Sequence, residues 1–148
     1  MLLNENIKPT GQLTIVLTNE TGEVKQEFTV PNMVVQTGKN WNAARMVDAS
    51  IPPQMSTMGI GYGLTAANVS DTTLVSQLAL QSLSPVGGTV SVNTVTYASS
   101  FPAGVGTGAV TEAGIFNSAS TMLCRTVFPV VNKGAADSMT VTWTIQFV

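Results

Sequence analysis

Histidine is absent from this chain, cysteine occurs once, and charged side chains make up only 9% of the residues. Each shortage excludes something. Without histidine there is no Ser–His or Cys–His pair to activate a nucleophile, and a zinc site would lack its commonest ligand. The lone Cys124 can form no internal disulfide. Six Lys and Arg against eight Asp and Glu leave a net charge of −2, with no cluster of cations to hold phosphates, so no nucleic-acid partner is expected. No apolar run approaches the roughly 18 residues of a membrane span, and the opening MLLNENIKPTG lacks the basic and apolar segments of a signal peptide. A soluble protein made in the cytoplasm is expected, with no membrane partner and neither metal nor organic cofactor.

Something neutral must cover the surface instead. Between Ala49 and Thr111 the only charged side chain is Asp71, and Thr, Ser, Asn, Gln and Gly take the place of ions. Short neutral side chains lose little rotamer entropy when immobilised. Such a surface suits lasting contact with other protein, and assembly into a homo-oligomer is expected. At 148 residues and 44% hydrophobic content the chain suffices for one domain, which at this size buries about 68–70% of the unfolded surface.

The patterning is that of strands. Gln12–Thr18 and Val24–Val30 alternate around Asn19-Glu20-Thr21-Gly22, a hairpin signal. Thr89–Tyr97 alternates with a change of parity near Asn93, which predicts a bulge or turn there. Ala109–Phe116 and Met122–Val130 flank a polar turn at residues 117–120. In the last run Met139, Val141, Trp143, Ile145 and Phe147 alternate without interruption with Ser, Thr and Gln, so one face is core. A helix is predicted over residues 37–47, capped by Thr37, with Trp41, Ala44, Arg45 and Asp48 recurring on one side and Ile51-Pro52-Pro53 ending it. A second helical turn is expected from Asp71, placing Leu74 and Leu78 together. The result is a mainly β fold: a β-sandwich, with a jelly roll as one form of it, and one short helix. Residues 1–11 read as an N-terminal arm with too few apolar residues to fold alone, and 12–148 as a single domain.

Few side chains carry a chemical signal. Gly59-Ile60-Gly61-Tyr62-Gly63 departs from a dinucleotide fingerprint in the spacing of its third glycine and has no βαβ pattern around it, so its glycines are expected to permit close approach of sheets or subunits. Glu112, in TEAGIF, would need a second carboxylate to act as a glycosidase acid. Only Asp71 and Asp137 could serve, and neither lies in a motif. The expected role is structural, with Glu112 paired to Arg125 or Arg45 or accepting backbone amides. Cys124 is expected to be a buried, inert thiol. Trp41 and Trp143 lie on apolar faces and are expected to pack in the core rather than form a sugar platform. No catalytic residue is assigned.

The segments PNMVVQTGKNWNAARM, GIGYGLTAANVSDTTLVSQL, VTYASSFPAG, VTEAGIFN and FPVVNKGAADSMTVTWTIQF, in this order, resemble a group of tailed-bacteriophage virion proteins over nearly the whole chain. The resemblance implies a virion structural protein and no enzyme. Within it, a capsid decoration (cement) protein bound to the major capsid protein is the leading expectation, with a tail, baseplate or fibre component as the alternative. A glycan-binding module stands behind both. The arm, through Met1, Leu2, Leu3 and Ile7, is the expected partner-binding element.

Overall fold

The structure is a computed structural model that describes residues 6–48 and 51–148. Ten strands are described: β1 (Pro9–Thr18), β2 (Val24–Pro31), β3 (Met33–Val34), β4 (Met55–Gly61), β5 (Gln77–Ser82), β6 (Thr89–Ser91), β7 (Thr94–Phe101), β8 (Gly108–Asn117), β9 (Met122–Lys133) and β10 (Ser138–Phe147). The one helix among the described residues, α1 (Gln36–Val47), lies between β3 and β4. One antiparallel sheet runs β2-β1-β10-β7-β6 and the other β3-β9-β8-β4-β5. Their inner faces share one core, in which Leu13, Ile15 and Leu17 of β1 and Met139, Val141, Trp143 and Ile145 of β10 meet Met58 and Ile60 of β4 and Val110, Ala113 and Ile115 of β8. The expected β-sandwich is the observed fold. Consecutive strands β1–β2, β4–β5, β6–β7 and β8–β9 pair within one sheet, and the connections β2–β3, β5–β6, β7–β8 and β9–β10 cross between the sheets.

β10, the strand with the cleanest alternation, lies in the middle of its sheet between β1 and β7. Its odd-numbered side chains from Met139 to Ile145 are buried, and Trp143 is fully so. The parity change near Asn93 is the tight turn between β6 and β7, where Val92 takes a positive φ of 55°. β9 tolerates Pro129 because β3 pairs with it only at Arg125 and Cys124, which leaves the Pro129 stretch on the sheet's edge.

Three expectations need correction. Thr37 does not cap α1: Val35 is the N-cap, and Thr37, already inside the helix, donates its hydroxyl to the Met122 carbonyl at 2.7 Å. The helix presents Gly38, Trp41, Asn42 and Arg45 inward, whereas Ala44 is exposed. Gly38 sets the contact, since a Cβ there would strike the Leu123 backbone. No helical turn follows Asp71; residues 62–76 form a long irregular loop, because Asp71 is drawn into side-chain pairing instead of capping. The N-terminal arm is shorter than expected. Pro9–Gly11 belong to β1, paired with Phe147–Ile145, and Lys8 exchanges two backbone hydrogen bonds with Val148. Ile7 is 75% exposed, and Met1, Leu2 and Leu3 lie outside the described residues.

Candidate functional site

Glu112 stands on the outer face of the second sheet, in β8 between Gly61 of β4 and Val127 of β9. It is fully buried. Its Oε1 accepts the amides of Gly63 (2.9 Å) and Ser76 (2.7 Å), and its Oε2 accepts the amide of Val75 (3.0 Å) and the Arg125 Nε (3.0 Å). The Arg125 Nη2 stands 2.9 Å from the same Oε2. Every lone-pair direction of the carboxylate has a donor. Burial pushes the Glu112 carboxyl up, but the Ser76, Val75 and Gly63 amides together with Arg125 outweigh that and hold it below the ordinary carboxylate value.

Arg125, also fully buried, extends the network outward. Its Nη1 reaches Asp71 Oδ2 at 2.9 Å and its Nη2 donates to the Thr65 carbonyl at 2.9 Å. Asp71 in turn accepts the Asn68 amide, and Thr111 donates its hydroxyl to the Gly63 carbonyl. All these partners except Glu112, Arg125 and Thr111 belong to the loop 62–76. A loop of this length without regular structure is uncommon and must be tied down to be ordered. Leu74 fastens it from the apolar side, buried with Val35, Phe116 and Met122. Gly61 and Gly63 of GIGYG give the carboxylate room, since a Cβ on Gly63 would stand 2.5 Å from the Glu112 carboxyl carbon.

The pairing expected for Glu112 is thus present with Arg125, not with Arg45. Arg45 donates instead to the Pro52 carbonyl (2.7 Å) and stacks 5.3 Å from the centre of the Trp41 ring. Asp71 shares the guanidinium with Glu112 rather than facing it across a cleft. Asp137 lies elsewhere, accepting from Lys25 and from the Gly134 amide at the β9–β10 turn, and these two donors, Lys25 first, hold it below its ordinary value. Cys124 is fully buried, and burial drives its thiol far above the ordinary range, so it is protected from ionisation.

Sequence reasoning missed Lys133. It is buried at the end of β9, where Nζ donates to the carbonyls of Asp137 (2.7 Å) and Pro102 (2.9 Å). The available signal was a lysine closing an apolar strand, followed at once by glycine and four residues later by aspartate.

Two surfaces remain open. Under α1, at one end of the sandwich, lies an apolar groove of about 480 Å³ lined by Ile7, Trp41, Met46, Tyr97, Leu123 and Phe147 among others. Burial pushes the Tyr97 phenol up to about 12, so it stays neutral there. The other surface is the flank formed by β4–β7 and the loop 62–76. The only charged residue from 51 to 111 is Asp71, and Arg125 holds it. Tyr62, Leu64, Val69, Val75, Leu80 and Val90 are exposed along this flank. Charged residues exposed or half-exposed on the remaining surface belong to the opposite flank and to α1: Lys8, Glu20, Glu23, Lys25, Glu27, Lys39, Arg45 and Asp48. Among the described residues no group of His, Cys, Asp and Glu is arranged to hold a metal, and no helix is long and apolar enough to cross a membrane. Comparison with protein-family models, with curated proteins and with solved structures gives no match.

Proposed function

We propose that this protein is a structural component of a bacteriophage virion, a capsid decoration protein that attaches to the outside of the assembled shell and ties neighbouring major capsid subunits together. The observation that carries this reading is the uncharged flank, where apolar residues are exposed and the one ion, Asp71, is paired with Arg125. Contact through such a flank needs no desolvation of charge and is hardly screened by salt. Binding the assembled shell but not its separate subunits stabilises the shell by mass action. Glu112, a fully buried carboxylate, has every oxygen bonded, which favours a frame residue over a catalytic acid. The chain therefore acts as a binding protein, not an enzyme. The remaining arm, up to Ile7 at the rim of the groove, adds a second point of attachment in this reading. A sugar platform at Trp41 is disfavoured because Arg45 already stacks on that ring.

The test is the copy number of the chain on purified virions. A number matching that of the shell subunits supports decoration; a handful of copies identifies a tail, baseplate or fibre component. Raising ionic strength should release little protein from intact shells, and ready release by moderate salt would overturn the neutral-contact mechanism.

A further inference from the structure

The two sheets have four outermost strands, and three of them are guarded against pairing with another chain, as is the uncovered length of β9, by Pro129. β2 carries Lys25 and Glu27 and ends at Pro31. β3 is two residues long and leads directly into α1. β6 has three residues and turns back at Val92. Charge, proline and shortness are the usual devices that keep an edge from recruiting a strand. β5 has none of them. It runs for six residues without charge, proline or glycine, closes the order of its sheet, holds the exposed Leu80 (45%) and follows the exposed Val75 (55%). Each long edge has one ladder irregularity, β2 at Lys25 and β5 at Leu78, and in β5 Ala79–Ser82 keep regular register with β4.

The sequence of this edge identifies its occupant. Residues 76–82 read Ser-Gln-Leu-Ala-Leu-Gln-Ser, the same in both directions about Ala79. An antiparallel pair related by a two-fold axis through Ala79 sets Leu78 opposite Leu80, Gln77 opposite Gln81 and Ser76 opposite Ser82. Like residues then meet twice over, with the smallest of them on the axis, where a larger side chain would confront its own copy. The absence of charge has the same logic, because near a two-fold axis an ion faces itself. We infer that β5 pairs antiparallel with β5 of a second copy of this chain, centred on Ala79, joining two five-stranded sheets into one. Each regular bonded residue pair would exchange two backbone hydrogen bonds, and Leu80 and Val75 supply apolar area beside them. The inference rests on the expectation that the chain self-associates and gives that association its interface.

Sedimentation of the full chain over a concentration series, with paired substitutions, tests it. Wild type should form dimers, or even-numbered assemblies of them. Gln77→Lys with Gln81→Lys places lysine opposite lysine on both sides of the axis and should weaken dimerisation at least tenfold, while the denaturation midpoint at concentrations where both proteins are monomeric stays in place. Gln77→Lys with Gln81→Glu places lysine opposite glutamate and should retain the dimer. A wild-type chain that is monomeric throughout overturns self-association itself. A dimer indifferent to the double lysine change, or a folded Lys/Glu variant that dissociates like the double lysine one, overturns the β5 register alone. A closed assembly with an odd number of subunits also overturns the two-fold pairing.

Discussion

β2 and β5 occupy corresponding places, each the outermost long strand of a five-stranded antiparallel sheet, yet they are built on opposite principles. β2 turns Lys25, Glu27 and Thr29 to solvent, and Lys25 is further engaged with Asp137 at 2.7 Å. β5 offers only glutamine, serine, alanine and leucine. Both strands alternate enough to form a sheet, so β propensity does not distinguish them. Charge does: an ion on an edge must be desolvated before a second strand can dock, whereas a glutamine or a leucine imposes little such barrier. The second lesson concerns how each flank is braced. The β2 side rests on an ordinary hairpin with β1, but the β5 side is supported by the loop 62–76, and that loop is held by charges buried out of sight.

The largest effect should come from a change that cannot tell the two flanks apart. Trp143→Ala empties the centre of the shared core and should cost about 3–5 kcal/mol, lowering the denaturation midpoint and loosening β2 and β5 together. A midpoint left in place would mean that the ring does not fill the core.

Glu112→Gln should sharpen the difference. Glutamine keeps the shape but removes the buried charge that Arg125 and three backbone amides point at, sets an NH2 against donors and leaves Arg125 with Asp71 alone, at a cost of about 3 kcal/mol or more, a larger penalty than a surface carboxylate would carry. Amide hydrogen exchange should accelerate in 62–82 more than in 24–31. The same group sets an acid limit. Its folded-state pKa lies below the unfolded value of about 4.3, so its stabilisation is complete above that pH and is lost as pH falls through the lower, folded value. Stability of the wild type should therefore decline below about pH 4.3 with a component that Glu112→Gln lacks. Identical acid profiles for the two proteins would remove Glu112 from this role.

At the β9–β10 turn, Lys133→Ala leaves the carbonyls of Pro102 and Asp137 without their donor and should cost about 2 kcal/mol, in the range for bonds to a charged group. Measured by denaturant midpoint, Lys25→Ala should cost less, under about 1 kcal/mol, because that lysine is half exposed. Smallest of all, Thr29→Lys on β2 should move stability by no more than about 0.5 kcal/mol and leave self-association unchanged, since that edge is already guarded.

Much of this was legible beforehand, and the reasons are physical. Strict alternation in residues 139–147 reports a strand with one dry face, and the structure buries Met139, Val141, Trp143 and Ile145 accordingly. The Glu112–Arg125 pair could be anticipated because a carboxylate in an uncharged stretch needs a cation, and few were available. Its third member was less visible. Asp71 followed by Thr-Thr-Leu has the local form of a helix start, but a buried guanidinium with unfilled donors competes for the same oxygen, and local pattern does not record that competition. Thr37 illustrates the same limit, since the Met122 carbonyl that claims its hydroxyl is 85 residues away. The reach of β1 back to Pro9 was hidden because residues 1–11 hold too few apolar side chains to show a strand; pairing with Phe147–Ile145 extends it regardless. Lys133 escaped notice because its partners are backbone carbonyls, which leave no mark in the side-chain pattern.

Hydrogen exchange on the free chain at low concentration, compared with the same chain in its assembled form, most directly tests the claim that the uncharged flank is the contact surface. The account predicts added protection in residues 77–82 and in the loop 62–76, with residues 24–31 unchanged. Added protection in residues 24–31 with none in 77–82 would contradict it.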